Sequence, residues 1–380
     1  MDPALSLLRD LIAIPSINPS LVAGAAGERE IAQYVADRLR AIGMDVEVSD
    51  ALPGRPNVLA TAEGREPGPS VMFCGHLDTV GVDGMPAPFD PVERHGRMYG
   101  RGSQDMKGGV AAMIHAAESV LHAGGLRKGR LIVAAVADEE YASAGADALV
   151  ARTTADYGVI TEPTDLDVGV AHKGFSTAEI VMHGRAAHGS RPADGRDAIL
   201  RMGRVLGALE ARDRWLQARE PHARLGTASL HASTIEGGGE LSSYPARCRL
   251  QFERRTLPGE ALTVAEDELR DILEALIAVD AELTADVRPL LARPPYAIDP
   301  AHRWPRSVLD ACRRAGCASQ PVGLSFWTDA AILGARGIST VLLGPGGAGL
   351  HSPEEYVRTD DVIACRDVLV EVVGAWCGAG

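Results

Sequence analysis

Residues 71–80 read VMFCGHLDTV, an apolar run that ends in a histidine and an aspartate. Two further apolar runs end in acidic residues: LIVAAVADEE at 131–140 and YGVITEPT at 157–164. Short, wholly apolar runs are typical of strands buried on both faces of a parallel sheet. A helical pattern over 110–123 separates the first two runs and ends at a glycine pair. These patterns predict an α/β fold with a central, mostly parallel sheet that is covered by helices.

The middle of the chain has a different pattern. Residues 176–183 alternate polar and apolar side chains, and the predicted elements then follow the order helix, strand, strand, helix, strand. Together these make the split arrangement of ferredoxin-like α+β domains. The α/β pattern resumes after an Arg-Pro-Pro segment at 293–295. We therefore expect a lid or dimerisation domain over 174–290, inserted into a discontinuous catalytic domain over 1–173 and 291–380.

Composition argues against several classes of protein. The 380 residues include 51 acidic and 38 basic side chains, and the resulting charge of −13 repels nucleic acids and anionic membranes. Aromatic residues make up only 4%, too few for a base-stacking surface. No apolar run reaches the roughly 18 residues of a membrane span, and the N-terminus lacks a signal-peptide core. Six scattered cysteines without a CxxC pair favour free thiols and a cytoplasmic protein.

Histidine and acidic side chains follow the predicted strands or lie in adjoining loops. The C-terminal ends of parallel strands form the ligand crevice of an open sheet, so such side chains can meet there. Imidazole nitrogens and carboxylate oxygens are suitable zinc ligands, and one central carboxylate would give each of two ions a histidine and a further carboxylate. The candidates are His76, Asp105 as the bridge, Glu139, Glu140, Glu162 and His351.

Neighbouring residues suit supporting roles. Asp78 is placed to accept the second ring N–H of His76 and so to orient it. Glu139 and Glu140 are adjacent and cannot point the same way, so one is expected to bind metal and the other to act as a general base. No GxSxG elbow or phosphate-binding loop is found, which disfavours a serine hydrolase and a nucleotide-binding protein.

Seven motifs, in this order, resemble those of the M20 family of metallo-aminoacylases and peptidases. They span nearly the whole chain: HLDTV (76–80), GRGSQDMKGG (100–109), ADEE (137–140), TEPT (161–164), AHKG (171–174), GRAAHGSRPADGRDAI (184–199) and HSPEEYV (351–357). The resemblance implies a homodimeric hydrolase with two Zn²⁺ ions, for which Co²⁺ or Mn²⁺ could substitute. Its expected substrate is a small N-acylated amino acid, and its expected reaction is cleavage of the amide bond.

The resemblance also implies a role for each candidate residue. One ion binds His76 and Glu162, the other binds Glu140 and His351, Asp105 bridges the two, and Glu139 is the base. Two residues of the inserted domain complete the site. His188 is expected to stabilise the oxyanion in the partner subunit's site, and Arg255 to bind the substrate carboxylate, with Arg254 as an equally placed rival.

Within the family, EPT followed by AHKG is similar to the acetylornithine deacetylases, so an N-acetylornithine-like substrate is favoured. Succinyl-diaminopimelate, N-acetyl-lysine, and the substrates of carboxypeptidases or dipeptidases stay open. Ser242 stands where the family often has a substrate-binding asparagine, and Tyr141 where glycine is common. A relative that has lost catalysis and serves as a binding or scaffold subunit is the alternative of a different class, and the complete ligand set with Glu139 favours the enzyme.

Overall fold

The structure is a computed structural model that describes residues 2–378. The chain divides into two compact units. The first extends to Val170 and continues over Ile298–Gly323 and from Thr328 onward, and the second comprises Ala171–Ala297 and Leu324–Trp327. The first division, between Val170 and Ala171, falls inside a strand.

The elements have the following bounds. The helices, in chain order, are α1 (Pro3–Ala13), α2 (Arg29–Ala41), α3 (Gly108–His122), α4 (Ala144–Arg152), α5 (Ala198–Gln217), α6 (Val264–Val279), α7 (Arg303–Arg314), α8 (Ala330–Ala335) and α9 (Thr359–Cys377). The strands are β1 (Asp45–Leu52), β2 (Arg55–Glu63), β3 (Glu66–His76), β4 (Val92–Arg94), β5 (Arg97–Tyr99), β6 (Lys128–Val136), β7 (Tyr157–Ile160), β8 (Val168–His172), β9 (Gly174–His183), β10 (Ser229–Gly237), β11 (Arg247–Thr256), β12 (Thr284–Arg293), β13 (Tyr296–Ala297), β14 (Pro321–Leu324), β15 (Ser339–Leu342), β16 (Gly347–Ala348) and β17 (Tyr356–Arg358).

The first unit is built on a mixed sheet in the order β1-β2-β6-β3-β7-β15-β8. Its centre is parallel, because β6, β3, β7 and β15 run in one direction. The second half of β3, most of β6 and all of β7 are buried, as their apolar runs predict. The α/β fold class is thus confirmed, although β1, β2 and β8 are antiparallel to their neighbours and the sheet is less parallel than predicted.

Helix α1 shows why the flanking segments are helical. Pro3 occupies the first turn, where its missing N–H costs nothing, and the Asp2 carboxylate accepts a hydrogen bond from the N–H of Ala4 at 2.8 Å. Its apolar face is fully buried at Leu8 and Leu11, and the helix packs on α3 and α9. Burial of such a leucine contributes about 1.5–3 kcal/mol. Capping sets where the helix begins, and packing supplies most of its stability.

The second unit contains an antiparallel sheet in the order β10-β11-β9-β12. Its elements follow the chain order strand, helix, strand, strand, helix, strand that the sequence predicts. The helices α5 and α6 pack against the sheet, and residues of both helices and the sheet share one core. Strand β11 alternates buried and partly exposed side chains, as expected where one face of a sheet lies against helices. Strand β10 lies at the edge and is exposed from His231 to Gly237.

A small antiparallel sheet, β16-β17-β5-β4, completes the first unit. Its strands have two or three residues each, too short for an apolar pattern, and the sequence does not predict them. The buried Met98 anchors β5. This sheet matters because β5 leads into the loop that contains Asp105, and β17 follows the loop that contains His351. In the described part of the chain, no helix is long and apolar enough to cross a membrane.

Candidate metal centre

Three of the predicted ligand positions lie at the C-terminal edge of the parallel strands. His76 is the last residue of β3, Glu140 follows β6 after a short turn, and Glu162 follows β7. The strand ends are level, since His76 pairs with Val136 in the ladder between β3 and β6. Side chains that are far apart in the sequence therefore leave the sheet at one place.

The loop between β5 and α3 carries Asp105, and the buried carboxylate of Glu355 holds this loop. One oxygen of Glu355 accepts the N–H groups of Gln104 at 2.9 Å and Asp105 at 3.0 Å. The other accepts the N–H of Gly102 at 2.9 Å and an Arg101 N–H at 2.7 Å. The sequence gives Glu355 no role beyond its place in HSPEEYV; the structure shows that it fixes the main chain from which Asp105 projects.

The two carboxylate oxygens of Asp105 face different histidines. Its Oδ1 lies 3.0 Å from Nε2 of His76, and its Oδ2 lies 3.4 Å from Nε2 of His351. The His76 nitrogen is also 3.8 Å from a Glu162 oxygen, and the His351 nitrogen is 3.2 Å from a Glu140 oxygen. The structure thus brings all five predicted ligands together, as two histidine–glutamate pairs that share Asp105.

The donor atoms suit divalent cations. Those of His76, Glu139 and Glu162 lie within 4.8 Å of one another, and so do those of His76, Asp105 and Glu140. Within residues 2–378, the Oε1 atom of Glu140 is buried without a hydrogen-bond partner, so its lone pairs are available to a cation. Two nitrogen and several carboxylate oxygen donors are the chemistry that zinc prefers. The residues present therefore fit the two ions that the sequence predicts.

The electrostatics of the carboxylates also call for positive charge. Burial, followed by the negative charge of Glu162, raises the pKa of Glu139 well above its usual value. Burial raises the pKa of Glu162 in the same way, and burial together with the Asp105 charge raises the pKa of Glu140 to about 7. Burial also acts to raise the pKa of Asp105, but hydrogen bonds with His351 and His76 lower it. Ionisation of carboxylates this close is unfavourable unless a cation lies among them.

The two imidazoles respond in the opposite direction. Burial acts to lower the pKa of His76, but its hydrogen bond to Asp105 and the Glu162 charge raise it well above the usual value. Hydrogen bonds to Asp105 and Glu140 raise the pKa of His351 to about 10. Because a metal binds the neutral imidazole, metal binding is expected to release these protons.

The hydrogen bond that orients His76 is accepted by a different atom of Asp78 from the predicted one. Its Nδ1 lies 2.9 Å from the main-chain oxygen of Asp78 and 3.7 Å from the Asp78 carboxylate. The main-chain carbonyl, rather than the predicted carboxylate, therefore accepts the ring N–H. The carboxylate instead accepts the main-chain N–H groups of Glu139 and Glu140, both at 3.1 Å. Asp78 thus orients the histidine and the adjacent glutamate pair together.

His188 belongs to the second unit, where it is exposed. The Ser190 N–H donates to its Nδ1 at 3.2 Å, so the neutral ring carries its proton on Nε2. The His188 loop is held by a hydrogen bond from the Gly189 N–H to the main-chain oxygen of Ser242 at 2.7 Å. Ser242 therefore acts here through its main chain. Tyr141, in the first unit, is 53% exposed.

Arg255 and its rival Arg254 have different environments in β11. Arg254 is 1% exposed, and its guanidinium donates to Glu260 at 2.5 Å and Glu268 at 3.4 Å. Arg255 keeps a third of its side chain exposed and donates to Glu253 at 2.6 Å. A buried arginine with two carboxylate partners is a structural element, so Arg255 is the better candidate for a substrate carboxylate.

The sequence matches a protein-family model described as peptidase family M20/M25/M40 over residues 72–375. It is 31% identical to the acetylornithine deacetylase of Vibrio vulnificus, with 98% of each chain aligned. It is also 31% identical to the acetylornithine deacetylase of Edwardsiella ictaluri, with 98% of this chain and 97% of the relative aligned.

Solved structures with the same fold are more distant in sequence. A tripeptidase from Staphylococcus aureus superposes with a TM-score of 0.83 at 20% identity, over 98% of this chain and 97% of the other. A dinuclear metal binding peptidase of family M20 from Bacillus subtilis superposes with a TM-score of 0.73 at 18% identity, over 97% and 96%. At these identities the superpositions establish the fold alone.

Proposed function

The chain belongs to peptidase family M20/M25/M40 and is a metal-dependent amidohydrolase, and we propose that it deacylates a small N-acylated amino acid, with N-acetylornithine as the first candidate. The observation that carries the substrate proposal is the 31% identity to an acetylornithine deacetylase along 98% of both chains. The aligned region spans the loops that carry the candidate ligands as well as the elements that build the fold. The candidate metal centre supports this proposal, because two histidine–glutamate pairs that share the Asp105 carboxylate could hold the two ions of such a hydrolase.

We assign the two ions, proposed to be zinc, to the two histidine–glutamate pairs. His76 and Glu162 would hold one ion, Glu140 and His351 would hold the other, and Asp105 would contribute to both. The distances of 3.0 and 3.4 Å from the Asp105 oxygens to the two histidines support this division. Ions bound there would polarise the amide carbonyl and lower the pKa of a water molecule.

Glu139 is the proposed general base. It accepts a proton from the attacking water, whose oxygen forms the new bond to the carbonyl carbon. When the carbon–nitrogen bond breaks, Glu139 delivers the proton to the leaving nitrogen, and a carboxylate and an amine are released. The hydrogen bond from its own N–H to Asp78, at 3.1 Å, supports this role because it fixes the main chain at the base.

His188 and Arg255 are proposed to complete the site. Arg255 offers a planar fork to the substrate carboxylate. His188 donates its Nε2–H to the oxyanion in the site of a partner subunit, consistent with the tautomer that Ser190 selects. A homodimer is therefore part of the proposal, and the exposed edge strand β10 offers main-chain groups for pairing between copies. A cytoplasmic location is proposed because all six cysteines are free thiols.

A substrate panel with metal analysis tests the proposal. The values of kcat/KM would be measured for N-acetylornithine, N-acetyl-lysine, succinyl-diaminopimelate and simple dipeptides, alongside the number of ions bound per chain. We expect two ions and a preference of at least about tenfold for N-acetylornithine, which is the discrimination that ~1.4 kcal/mol provides. A preference for dipeptides would overturn the proposal that the substrate is an N-acylated amino acid. Two bound ions without any turnover would favour a binding or scaffold subunit.

A further inference from the structure

We propose that Arg55, a buried arginine outside the set of metal ligands, is a positioning residue for the metal centre. It holds the turn that carries Glu139 and Glu140 through contacts with Asp138. The inference rests on the proposed function to the extent that Glu140 binds metal and Glu139 is the base. No motif in the sequence points to Arg55, which lies 83 positions before Asp138.

The Arg55 guanidinium lies between two buried carboxylates. Its Nη1 donates to Oδ1 of Asp138 at 2.6 Å. Its Nε donates to Glu28 at 2.9 Å, and its Nη2 donates to the other Glu28 oxygen. The side chains of Arg55, Glu28 and Asp138 are 7%, 0% and 1% exposed. The guanidinium thus binds both oxygens of Glu28 through two nitrogens and Asp138 through the third. The single ammonium group of lysine cannot reproduce this planar arrangement.

Asp138 is the corner of the turn after β6. Its φ of 69° lies in the left-handed region, which is unfavourable for a residue with a side chain. Its main-chain oxygen accepts the N–H groups of Ala142 at 3.1 Å and Ser143 at 2.5 Å, and its Oδ2 accepts the N–H of Ala144 at 3.3 Å. Hydrogen bonds to the main-chain oxygen and to the carboxylate of Asp138 stabilise this conformation, and Arg55 contributes the one to Oδ1.

A second link joins this corner to the metal centre. The Asn18 side chain donates to Oδ2 of Asp78 at 2.8 Å and to Oδ1 of Asp138 at 3.2 Å. Asp78 in turn accepts the N–H groups of Glu139 and Glu140. The network that begins at Arg55 therefore ends on the two residues proposed as base and ligand.

The charges show what Arg55 contributes. The carboxylates of Glu28, Asp138 and Asp78 are all buried within this network, and Arg55 is the cation that contacts two of them. Without it, Glu28 and Asp138 would repel each other across a buried space, and the turn would shift or admit water. Displacement of about 1 Å at a catalytic group costs about 10²-fold in rate. Loss of a residue that orients a metal ligand costs about 10–100-fold in metal affinity or activity.

The test compares Arg55 variants with a matched ion pair elsewhere in the first unit. The variants are Arg55→Met, Arg55→Lys and Asp138→Asn, and the control is Arg366→Met. Arg366, 14% exposed, pairs with Asp2 at 2.8 Å between α9 and the start of α1. Each metal-stripped protein would be titrated with Co²⁺ and followed by visible absorption. Melting temperature, kcat and KM would be measured on the same samples.

We expect Arg55→Met to bind one of its two Co²⁺ ions about 10–100-fold more weakly. Its kcat should fall by a similar factor with KM within about threefold, and Arg55→Lys should recover part of the loss. Arg366→Met should lower the melting temperature while Co²⁺ binding and kcat stay at wild-type values. If lost stability alone caused these effects, Co²⁺ affinity and kcat would fall in Arg366→Met as they do in Arg55→Met.

Folded Arg55→Met with wild-type Co²⁺ affinity and kcat would overturn the proposal, and so would an equal loss of affinity in Arg366→Met. Should Arg55→Met fail to fold, Asp138→Asn decides. This variant keeps the shape of the corner but removes the charge that Arg55 contacts, so unchanged Co²⁺ binding by it rejects the proposal. The Co²⁺ titration needs no substrate. Wild-type protein that binds two ions but deacylates nothing would therefore refute the proposed function and leave this inference standing.

Discussion

At the scale of single residues, the adjacent Glu139 and Glu140 have different surroundings although their main chains are held alike. The Asp78 carboxylate accepts both of their N–H groups at 3.1 Å. The Glu140 side chain approaches His351 at 3.2 Å, whereas Glu139 groups with His76 and Glu162. Either grouping could hold a metal ion, and we propose Glu140, with its contact to His351, as the ligand and Glu139 as the group that transfers protons.

Glu139→Ala is expected to lower kcat by about 10²–10⁴-fold, because it removes the proposed base and none of the five assigned ligands. The measurement is steady-state kinetics on the preferred substrate, with metal analysis of the same preparation. Glu140→Ala is the matched comparison, and it should lose metal as well as activity. Turnover by Glu139→Ala at the wild-type rate would reject the base assignment.

His172 provides a pH-dependent contribution to stability within the second unit. It is fully buried, and burial lowers its pKa from 6.5 to about 4. Between these two values the unfolded chain binds a proton that the folded chain does not, so the free energy of unfolding falls as the pH falls. The shift corresponds to a loss of about 3 kcal/mol across this range.

His172→Phe should therefore be less sensitive to acid than the wild type between about pH 6.5 and pH 4. Urea denaturation at several pH values in this range measures the difference. His231→Gln, on the exposed strand β10, serves as the control and should follow the wild type. Parallel stability curves for the wild type and His172→Phe would contradict the prediction.

At the scale of elements, the start of α3 packs directly on the end of β7. A Cβ on Gly109 would lie 1.9 Å from the main-chain oxygen of Thr161, the residue before Glu162. Glycine at this position thus permits a helix and a strand end to approach at the metal centre. A shift of α3 against β7 would therefore also change the position of Glu162, a proposed ligand.

Gly109→Ala is expected to lower the free energy of unfolding by about 1–3 kcal/mol, because the added methyl group must displace main-chain atoms. Metal affinity should fall too, since Glu162 follows the displaced residue. Denaturation and Co²⁺ titration measure the two effects. Gly374→Ala in α9, whose Cβ would meet nothing within 4 Å, should instead be neutral or stabilise by up to about 1 kcal/mol. Equal stability of the two variants would count against this packing argument.

At the scale of the whole molecule, the metal centre joins loops that follow distant parts of the chain. Its five proposed ligands extend from His76 to His351, all within the first unit. Ions that bind them would stabilise the folded state, because the unfolded chain does not bring the ligands together. Ligand at 100 times its Kd contributes about 2.7 kcal/mol.

Removal of metal should therefore lower the Tm by at least about 5 °C, and restoring Zn²⁺ should recover it. Calorimetry with and without a chelator measures the change, with chelator preloaded with Zn²⁺ as the control. If chelation removes two ions and leaves the Tm unchanged, the ions do not cross-link the fold as proposed.

The predicted elements agree best where local patterns are strong. Helix α1 and the buried strands β3, β6 and β7 have clear apolar periodicity, and all are found. The hairpin of β1 and β2 is not predicted, because no residue of β1 is fully buried and the strand is defined by its pairing with β2. The strands of the small sheet β16-β17-β5-β4 are likewise not predicted, because they are defined by pairing with each other and not by a local apolar pattern.

The sequence by itself determines the fold class and the set of candidate metal ligands, because apolar periodicity and residue chemistry are properties of short segments. Only the tertiary structure decides which oxygen of Asp105 meets which histidine, that a carbonyl orients His76, and that Glu355 and Arg55 hold the loops of the site. Glu355 lies about 250 positions from the loop it holds. A buried charge needs a partner of opposite charge or a hydrogen bond, and the folded chain can supply it from a distant segment. No local sequence pattern indicates which segment that is.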